Sequence, residues 1–221
     1  MISPLGDTAV TLEFGTDIDR AVNARVMAAR DALAMANLRG VVETVPTFGA
    51  LAVYFDPLEI GQEKLIAALG EVEFFADATL APGRVHEVPV LYDGPDLDAV
   101  AQTTGLSSDE IVKLHSGADY HVYMLGFLPG FAYLGDLPEK LSLPRLKEPR
   151  TRVPRGSVGI AEGLTAVYPV ESPGGWRLIG RTPLILFDLR ADPPSLFAPG
   201  DTVSFQPIGR AEFDRLSGAG R

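Results

Sequence analysis

The chain has 221 residues, no cysteine, three histidines and a formal net charge of −10 at pH 7. This composition excludes disulfide bonds, thiolate catalysis and cysteine-ligated metal centres, and the negative charge disfavours binding to the phosphate backbone of a nucleic acid. The apolar runs are too short to cross a bilayer, and the amino terminus lacks the basic and apolar segments of a signal peptide. We therefore expect a cytoplasmic protein without membrane or nucleic-acid partners. The three histidines match no metal-binding motif, so no metal site is predicted.

The first 84 residues combine strand and helix patterns. The β-branched residues from Thr8 to Phe14 predict a first strand, and the apolar spacing that follows predicts a helix from Asp17, capped by Thr16 or Asp17. Two further strands, a second helix and a final strand are predicted at Val41–Val45, Leu51–Phe55, Gln62–Leu69 and Val85–Tyr92. The order β-α-β-β-α-β indicates a ferredoxin-like N-terminal α/β domain over residues 1–84. Its last strand, or the linker before it, leads into a second domain.

Residues 85–221 begin with two short helices and continue as short strands. Asp96 opens a helix that ends at Gly105, and Ser107 with Glu110 forms a capping box before the second helix. Beyond Tyr120 the predicted strands are His121–Phe127, Ser157–Ala161, Thr165–Val170, Trp176–Gly180, Pro183–Leu189 and Thr202–Ile208. Several short strands at close spacing favour a barrel or a sandwich over a parallel sheet, and the last dozen residues are predicted to be frayed. The predicted fold class is α+β.

The run from Tyr123 to Gly135, YMLGFLPGFAYLG, interleaves aromatic residues with glycines and one proline. Pro129 and Gly130 predict a tight turn that would project Phe127 and Phe131 from a loop. The run is therefore either a core strand and turn whose rings fill one end of a barrel, or the wall of a binding pocket.

Four arginines fall within eleven residues, interrupted by prolines: Arg145, Arg150, Arg152 and Arg155. In so acidic a chain this clustering indicates a site for a carboxylate or a phosphate, because guanidinium groups bind such oxygens in pairs. The alternative is a set of salt bridges with Asp136, Glu139 and Glu148. The prolines favour the anion site, because a stiff segment loses less conformational entropy when it binds a ligand.

Glycine-rich turns bracket the only tryptophan of the chain. Gly174 and Gly175 would let the backbone approach a ligand and Trp176 would form a pocket floor, although a hairpin around a buried tryptophan has the same pattern. His115 is the histidine closest to the aromatic run, and it is either a structural core residue or a general acid or base. The chain contains no P-loop motif, so the sequence assigns no ATP site to it.

Three stretches of the chain together carry a family resemblance. The segments LHSGADYHVYMLGFLPGFAYLGDLP, PRLKEPRTRVPRGSVGIAEG and YPVESPGGWRLIGRTPLILFD resemble the signature of the KipI and allophanate hydrolase subunit 1 family. The resemblance implies a cyclophilin-like β-barrel domain over residues 85–221, also described as a carboxyltransferase subdomain, after the smaller N-terminal domain. Free-standing members of the family are mostly the B subunit of the bacterial 5-oxoprolinase, which opens 5-oxoproline to L-glutamate at the expense of ATP.

The resemblance also implies partners and a small anionic substrate. A homologous, barrel-fold C subunit and an A subunit would complete the enzyme, the active site would be shared between the B and C subunits, and the complex would use ATP. Two other functions in the same family are inhibition of a histidine kinase and the carboxyltransferase half of a urea carboxylase or allophanate hydrolase. Recovery of a barrel-fold partner would favour the 5-oxoprolinase, and kinase inhibition by the isolated chain would favour the inhibitor.

The matched motifs and their chemistry predict the site residues. The residues expected to act in catalysis are His115, Arg150, Arg152 and Arg181. The residues expected to bind substrate are Tyr123, Phe127, Arg145, Ser157, Tyr168, Gly174, Gly175, Trp176 and Thr182. Two positions depart from the family pattern, because Leu164 stands where relatives have a glutamine and Arg155 stands where an alanine is usual.

Overall fold

The computed structural model describes residues 1–72 and 83–219. Contacts between residues divide the chain into two compact units, Met1–Pro82 and Gly83–Arg221. Each unit has a hydrophobic core of its own. Among the described residues, no helix combines the length and the apolar character that a membrane crossing requires.

The smaller unit is an antiparallel four-stranded sheet with two helices. Its elements are β1 (Ile2–Pro4), β2 (Ala9–Glu13), α1 (Arg20–Ala36), β3 (Val41–Pro46), β4 (Ala50–Phe55) and α2 (Gln62–Gly70). The sheet order is β1-β2-β4-β3, and Val26 of α1 and Leu65 of α2 pack in the same core as the strands. Helix α1 starts later than predicted, because the Asp19 side chain accepts a hydrogen bond from the Val22 N–H at 2.9 Å and caps the helix there.

The strand that ends the predicted β-α-β-β-α-β order belongs to the larger unit. This strand, β5 (Val85–Val90), pairs in parallel with a strand at Thr202–Pro207. The edge position beside β2 is taken by β1, a three-residue strand that the sequence patterns do not indicate. The small sheet therefore draws its fourth strand from the amino terminus of the chain.

The larger unit is built on a seven-stranded sheet. Its strands are β5, β6 (Asp119–Leu125), β7 (Ala132–Gly135), β9 (Ser157–Ala161), β10 (Leu164–Val167), β12 (Arg177–Arg181) and β13 (Thr202–Pro207), while β8 (Arg150–Val153) and β11 (Ser172–Gly174) form a separate pair. The order is β12-β9-β10-β7-β6-β13-β5. Leu91 and Arg181 exchange two backbone hydrogen bonds of 2.9 Å, which join the two edges of the sheet. The result is a mixed α/β fold with a nearly closed, barrel-like sheet, as the strand pattern predicts.

Two helices pack against this sheet where the sequence predicts them, α3 (Leu97–Thr104) and α4 (Ser108–Ser116). The predicted capping box is present, because Ser107 Oγ accepts from the Glu110 N–H at 3.3 Å and Glu110 accepts from the Ser107 N–H at 2.8 Å. Val100 of α3 and Ile111 of α4 are fully buried in the core of the larger unit. Both helices therefore close the core on one part of the barrel-like sheet.

The predicted strand at Pro183–Leu189 is wrong. Within this segment only Phe187 makes a β-bridge, to Ser195, in the part of the chain that the structure describes. The burial along this segment does not alternate with a period of two, since Ile185 and Leu189 are exposed and Leu186 is buried. The segment opposite contains Pro193 and Pro194, which have no N–H groups to extend a ladder.

The predicted frayed end is also wrong for Arg210–Ala219, which form helix α5, while Gly220 and Arg221 lie outside the described residues. Arg210 donates a hydrogen bond to Asp93 at 2.8 Å, and the ring of Phe213 lies 4.7 Å from the Arg181 guanidinium. A helix this short is marginal in isolation and depends on such tertiary contacts. These contacts join residues that are far apart in sequence, so no local sequence pattern predicts them.

Candidate functional site

A cavity of about 240 Å³ lies at the start of β12, and we call it the aromatic cavity. Its lining residues are Phe127, Phe131, Tyr133, Arg145, Pro149, Tyr168, Pro173, Gly174, Gly175 and Trp176. The sequence-predicted site residues that meet here are Phe127, Arg145, Tyr168, Gly174, Gly175 and Trp176. The aromatic run and the glycine-rich turn, which are separate motifs in the sequence, thus form one wall.

Phe131 organises the aromatic part of this wall. Its ring is edge-on to the rings of Phe127, Tyr133, Tyr168 and Trp176, with centroid distances of 5.4, 5.1, 5.3 and 5.8 Å. Edge-to-face ring contacts contribute about 0.5–1.5 kcal/mol each beyond the burial of apolar area. Phe131 is only 1% exposed, so the surrounding rings pack against a side chain that is buried in the core.

The predicted turn at Pro129 and Gly130 is present. The Phe131 N–H donates to the Leu128 carbonyl at 3.0 Å, and Gly130 has a φ of 77°. Phe127 has a φ of 66°, a conformation that favours glycine, and its side chain is 61% exposed. The turn therefore places Phe127 at the mouth of the aromatic cavity, whereas Phe131 is buried behind it.

The two glycines of the cavity differ in what they require. A Cβ on Gly174 would overlap the Tyr168 hydroxyl, so only glycine fits beside this ring. A Cβ on Gly175 would stand 3.7 Å from Pro149, an ordinary contact distance. Gly174 therefore sets the position of Tyr168, and Gly175 leaves open space in the cavity.

Arg145 supplies the positive charge of the aromatic cavity. Its guanidinium lies 5.9 Å from the centre of the Trp176 ring, and its Nε donates to Glu162 at 2.9 Å. Both partners of this ion pair are more than half exposed, so the pair is weak and Arg145 can exchange Glu162 for a bound carboxylate. Burial raises the pKa of Tyr168, and it also raises the pKa of Tyr133 although the Arg145 charge opposes this. Both phenols therefore stay protonated at neutral pH and can donate hydrogen bonds.

A second cavity, of about 340 Å³, lies at the other end of β12, and we call it the donor-lined cavity. Its lining residues are Asp93, Gly94, Pro95, Pro154, Arg155, Ser157, Leu178, Gly180, Arg181, Thr182 and Phe213. Three predicted site residues, Ser157, Arg181 and Thr182, meet here and not in the aromatic cavity. Arg181 donates to both carboxylate oxygens of Asp93, at 3.1 and 2.8 Å. The residues expected to form one site therefore divide between two cavities.

Arg150 lies apart from both linings, in an ion pair that supports β12. Its Nη2 donates to Asp96 at 2.5 Å, and the other oxygen of Asp96 accepts from the Leu178 N–H at 2.7 Å. The Arg150 and Asp96 side chains are 28% and 11% exposed. Arg150 is thus positioned to hold the start of β12, and it donates a 3.4 Å hydrogen bond to the Trp176 carbonyl.

Arg152 is 75% exposed and pairs with Glu171 at 2.7 Å. It lies on the β8–β11 pair and faces solvent, apart from the linings of both cavities. Arg145 lines a cavity and also pairs with the exposed Glu162. Arg150 and Arg152 form salt bridges, but not with the predicted Asp136, Glu139 or Glu148. Their partners are Asp96 and Glu171, which no local spacing links to the arginines.

His115 lies in the core of the larger unit with both ring nitrogens occupied. Thr165 Oγ1 donates its hydrogen to the Gly159 carbonyl at 3.0 Å, so it accepts from His115 Nε2–H at 2.9 Å. The other nitrogen, Nδ1, accepts from the Tyr92 hydroxyl at 2.8 Å. Burial lowers the pKa of His115 to about 3, and the imidazole is neutral. Of the two interpretations of His115, this network fits the structural one, because the ring is fully buried and both nitrogens have protein partners.

Tyr123 and Leu164 are also buried in the sheet. Tyr123 is 1% exposed, its ring packs against Gly135, and its hydroxyl donates to Asp136 at 3.3 Å. Leu164 is 6% exposed in β10, where an apolar side chain packs well. Neither residue lines the two cavities. Among the described residues, no group of three or more His, Asp or Glu side chains is placed to hold a metal ion.

Several lining residues are absent from the predicted substrate-binding set, although Phe131 and Tyr133 belong to the run that was one candidate for a pocket wall. Phe131 and Tyr133 alternate along the chain at the start of β7 and so share a face, which is a signal the motif contains. Asp93 and Phe213 flank Arg181 in the donor-lined cavity, yet they are far from it in sequence and belong to no motif. Closure of the barrel-like sheet at Leu91 brings Asp93 next to Arg181, and helix α5 brings Phe213 there.

Comparison with known proteins places most of the chain in one family. The carboxyltransferase domain, subdomain C and D, matches residues 1–197. The B subunit of the Bacillus subtilis (strain 168) 5-oxoprolinase is 38% identical, over 96% of this chain and 94% of that protein. The B subunit of the Escherichia coli O157:H7 5-oxoprolinase is 43% identical, over 92% of this chain and 94% of that protein. The urea amidolyase of Saccharomyces cerevisiae is 25% identical, and this chain spans only 13% of its length.

Solved structures share the fold. The crystal structure of TTHA0988 has a TM-score of 0.82 and 37% identity over 91% of this chain, which corresponds to 40% of that chain. The crystal structure of the Kluyveromyces lactis urea carboxylase has a TM-score of 0.78 and covers 97% of this chain and 22% of its own. At 22% identity this second likeness shows the fold alone.

Proposed function

The chain belongs to the family of carboxyltransferase domains, subdomains C and D, and on this premise we propose that it is the B subunit of a 5-oxoprolinase, which opens 5-oxoproline to L-glutamate at the expense of ATP. The observation that carries this proposal is the 38% and 43% identity to two proteins named as 5-oxoprolinase B subunits, each matched over 94% of its length. The relatives named for urea chemistry are more distant, so they support the fold and not this activity.

The aromatic cavity supports the proposal because its chemistry suits the substrate. 5-Oxoproline is a five-membered lactam ring that carries one carboxylate. The rings around Phe131 offer flat apolar surfaces to the lactam, and Arg145 offers a cation to its carboxylate. The protonated hydroxyls of Tyr133 and Tyr168 supply donors for the lactam oxygen. We assign binding and orientation of the substrate to these residues.

The proposed partners and the use of ATP rest on the name of these relatives, the B subunit of a 5-oxoprolinase. A protein named as one of several lettered subunits works with the others, and we propose a homologous, barrel-fold C subunit and an A subunit as the partners. The active site would be shared between the B and C subunits. ATP is the second substrate of the complex, and its phosphoryl group would activate the lactam for hydrolysis. No residue of this chain is assigned to that transfer, and we expect the complex in the cytoplasm, where ATP is available.

The fold supports two finer assignments. The larger unit is proposed to be a cyclophilin-like barrel, because its seven-stranded sheet joins its edges through Leu91 and Arg181. The smaller unit is proposed to be ferredoxin-like, because β2, α1, β3, β4 and α2 follow the expected order and β4 lies between β2 and β3. In this assignment β1 occupies the edge that the fourth strand of such a domain would fill.

The test is phosphate release that depends on 5-oxoproline, measured on the chain co-expressed with candidate A and C subunits. Arg145→Ala should lower kcat/KM roughly tenfold to a hundredfold, mainly through KM, because a charge-assisted contact to the carboxylate is lost. Arg190→Ala is the matched control, because Arg190 is a 90% exposed arginine that pairs with Asp188 outside the cavity. The control should keep wild-type activity.

Different outcomes separate the parts of this proposal. Wild-type kinetics in Arg145→Ala would remove Arg145 from the substrate site but leave the activity. A complete wild-type complex that releases no phosphate with 5-oxoproline would overturn the function itself. Inhibition of a histidine kinase by the isolated chain, in the absence of such activity, would favour the regulatory alternative.

A further inference from the structure

The donor-lined cavity has a chemistry that the proposed substrate site does not use. It lies at the far end of β12, roughly 16 Å along the strand from Trp176 at the usual rise of an extended chain. We propose that it binds a phosphate group, either free phosphate or the terminal phosphate of a phosphorylated organic molecule. This proposal does not depend on the 5-oxoprolinase assignment.

Asp93 provides the carboxylate of this lining, and two arginines donate hydrogen bonds to it. Arg181 donates to Oδ1 at 3.1 Å and to Oδ2 at 2.8 Å, and Arg210 donates to Oδ2 at 2.8 Å. The ring of Phe213 lies against the Arg181 guanidinium, which further fixes the orientation of that group. Asp93 therefore positions the two arginines. Because both of its oxygens already accept hydrogen bonds, it is poorly placed to bind a cationic ligand.

Arg155 lines the same cavity with an unused guanidinium. It is exposed, and within residues 1–72 and 83–219 it forms no side-chain hydrogen bond or ion pair. The backbone beside it is fixed, because the Gly156 N–H donates to the Tyr168 carbonyl at 2.8 Å and the Thr182 N–H donates to the Gly156 carbonyl at 2.8 Å. A flexible cation is thus anchored on a rigid turn at the edge of the cavity.

Two nearly buried hydroxyls add donors. Ser157 is 6% exposed and Thr182 is 4% exposed. Ser157 Oγ has no hydrogen-bond partner among the described residues, and no buried side-chain oxygen among them lacks a partner, so Ser157 Oγ must be accessible from the cavity. Thr182 Oγ1 accepts from the Leu184 N–H at 3.3 Å, which leaves its own hydrogen free to donate. The unused polar groups of the cavity are therefore donors.

The balance of charge selects a dianion. The lining contains Arg155, Arg181 and Asp93, and Arg210 pairs with Asp93 from outside the lining. Together these groups carry three positive charges and one negative charge, a balance of two positive charges in a chain whose net charge is −10. A phosphate dianion matches this charge and has enough oxygens to accept from a guanidinium and from both hydroxyls. A single carboxylate would leave one positive charge and at least one donor unmatched.

The test is calorimetric titration of the full chain at low ionic strength, with inorganic phosphate and with ATP as probes. Arg155→Ala should weaken phosphate binding roughly tenfold to a hundredfold, because it removes a charge-assisted contact and breaks no side-chain hydrogen bond or ion pair among the described residues. Ser157→Ala should weaken it about threefold, the effect of one neutral hydrogen bond. Arg190→Ala removes an exposed arginine elsewhere in the same unit and should bind phosphate as the wild type does.

Tighter binding of ATP than of inorganic phosphate would identify a phosphorylated organic molecule as the ligand, and the reverse order would identify free phosphate. Equal phosphate affinity in Arg155→Ala and the wild type would overturn the proposal. The absence of any phosphate binding by the wild-type chain would overturn it as well. Neither failure bears on the 5-oxoprolinase activity, because the titration contains neither 5-oxoproline nor the partner proteins.

Discussion

The aromatic cavity and the donor-lined cavity lie at opposite ends of β12, yet their walls have little in common. At the start of the strand, the lining consists largely of aromatic rings packed around Phe131, and its charged side chain is Arg145. At its end, Arg155, Arg181, Ser157 and Thr182 surround a carboxylate that is already paired. One strand thus serves two sites because different loops meet it at each end.

Motifs that are neighbours in the sequence therefore need not form one site. Trp176 and Arg181 are five positions apart, and the glycine-rich segment that contains both invites a single pocket. In an extended strand those positions are too far apart to touch the same small ligand. We therefore expect substitutions in one cavity to leave ligand binding in the other unchanged, and three experiments test this separation.

The largest effect is expected from Gly174→Ala. The added Cβ would overlap the Tyr168 hydroxyl, so the ring must move out of the wall that it forms with Phe131. A displacement of this size can lower turnover by about a hundredfold, and we expect such a loss in 5-oxoproline-dependent phosphate release by the complex. Phosphate titration of the donor-lined cavity should be unchanged.

Gly175→Ala is the matched control for this substitution. Its Cβ would meet Pro149 at 3.7 Å and should cost at most a few-fold in activity. If the two variants were equally active, the fixed position of Tyr168 would not matter for turnover. If Gly174→Ala also weakened phosphate binding, the two cavities would be coupled through the sheet.

An intermediate effect, on stability alone, is expected from His115→Gln. His115 belongs to neither cavity, and loss of its buried hydrogen bonds to Tyr92 and Thr165 should lower the free energy of unfolding by about 2–4 kcal/mol at pH 7.5. Both ligand affinities should stay at wild-type values in the folded variant. Chemical denaturation followed by calorimetric titration measures both quantities.

The pH dependence of the free energy of unfolding provides a second test of His115. Burial lowers the pKa of folded His115 to about 3, whereas the unfolded chain titrates near 6.5, so the unfolded state binds more protons between these values. This histidine therefore destabilises the larger unit as pH falls from about 6.5 towards 3, by roughly 1.4 kcal/mol per pH unit. The stability gap between wild type and His115→Gln should shrink on acidification. Parallel stability curves would contradict the neutral, buried imidazole.

The smallest effect is spectroscopic. Trp176 is the only tryptophan in the chain, it is 4% exposed, and it lines the aromatic cavity. Titration of the isolated chain with 5-oxoproline should cause a saturable change in its fluorescence, whereas phosphate should cause none. A Trp176→Phe variant provides the blank. A phosphate-dependent change of the tryptophan emission would place phosphate in the wrong cavity or reveal coupling between the two.

Much of the fold could be predicted from local patterns. The segment Ser157–Ala161 coincides with β9, and the Ser107–Glu110 capping box marks the start of α4. The strands that were not predicted, β1, β7, β8 and β11, have three or four residues, too few to show a period of two. The strand predicted at Pro183–Leu189 fails because its neighbour in space carries two prolines, which no pattern within the segment reveals.

The candidate site could be predicted only as a set of side chains. Residues in contiguous motifs, such as Gly174 and Trp176, do line a cavity. Their division between two cavities could not be predicted, because it depends on which loops meet each end of β12. The environment of His115 could not be predicted either, because Thr165 is fifty positions away in the sequence. The hydrogen bonds of Thr165 determine which ring nitrogen of His115 carries the hydrogen.

β13 follows all the other strands of the described residues, yet it lies inside the sheet, between β6 and β5. Its residue Thr202 pairs with Val85, so β5 leaves the ribosome long before its partner is synthesised. Until then the facing edges of β5 and β6 have unpaired backbone groups, and such edges attract other chains. The larger unit is therefore expected to fold only after Thr202–Pro207 has been synthesised, and a nascent chain that stops before Thr202 should aggregate or recruit chaperones.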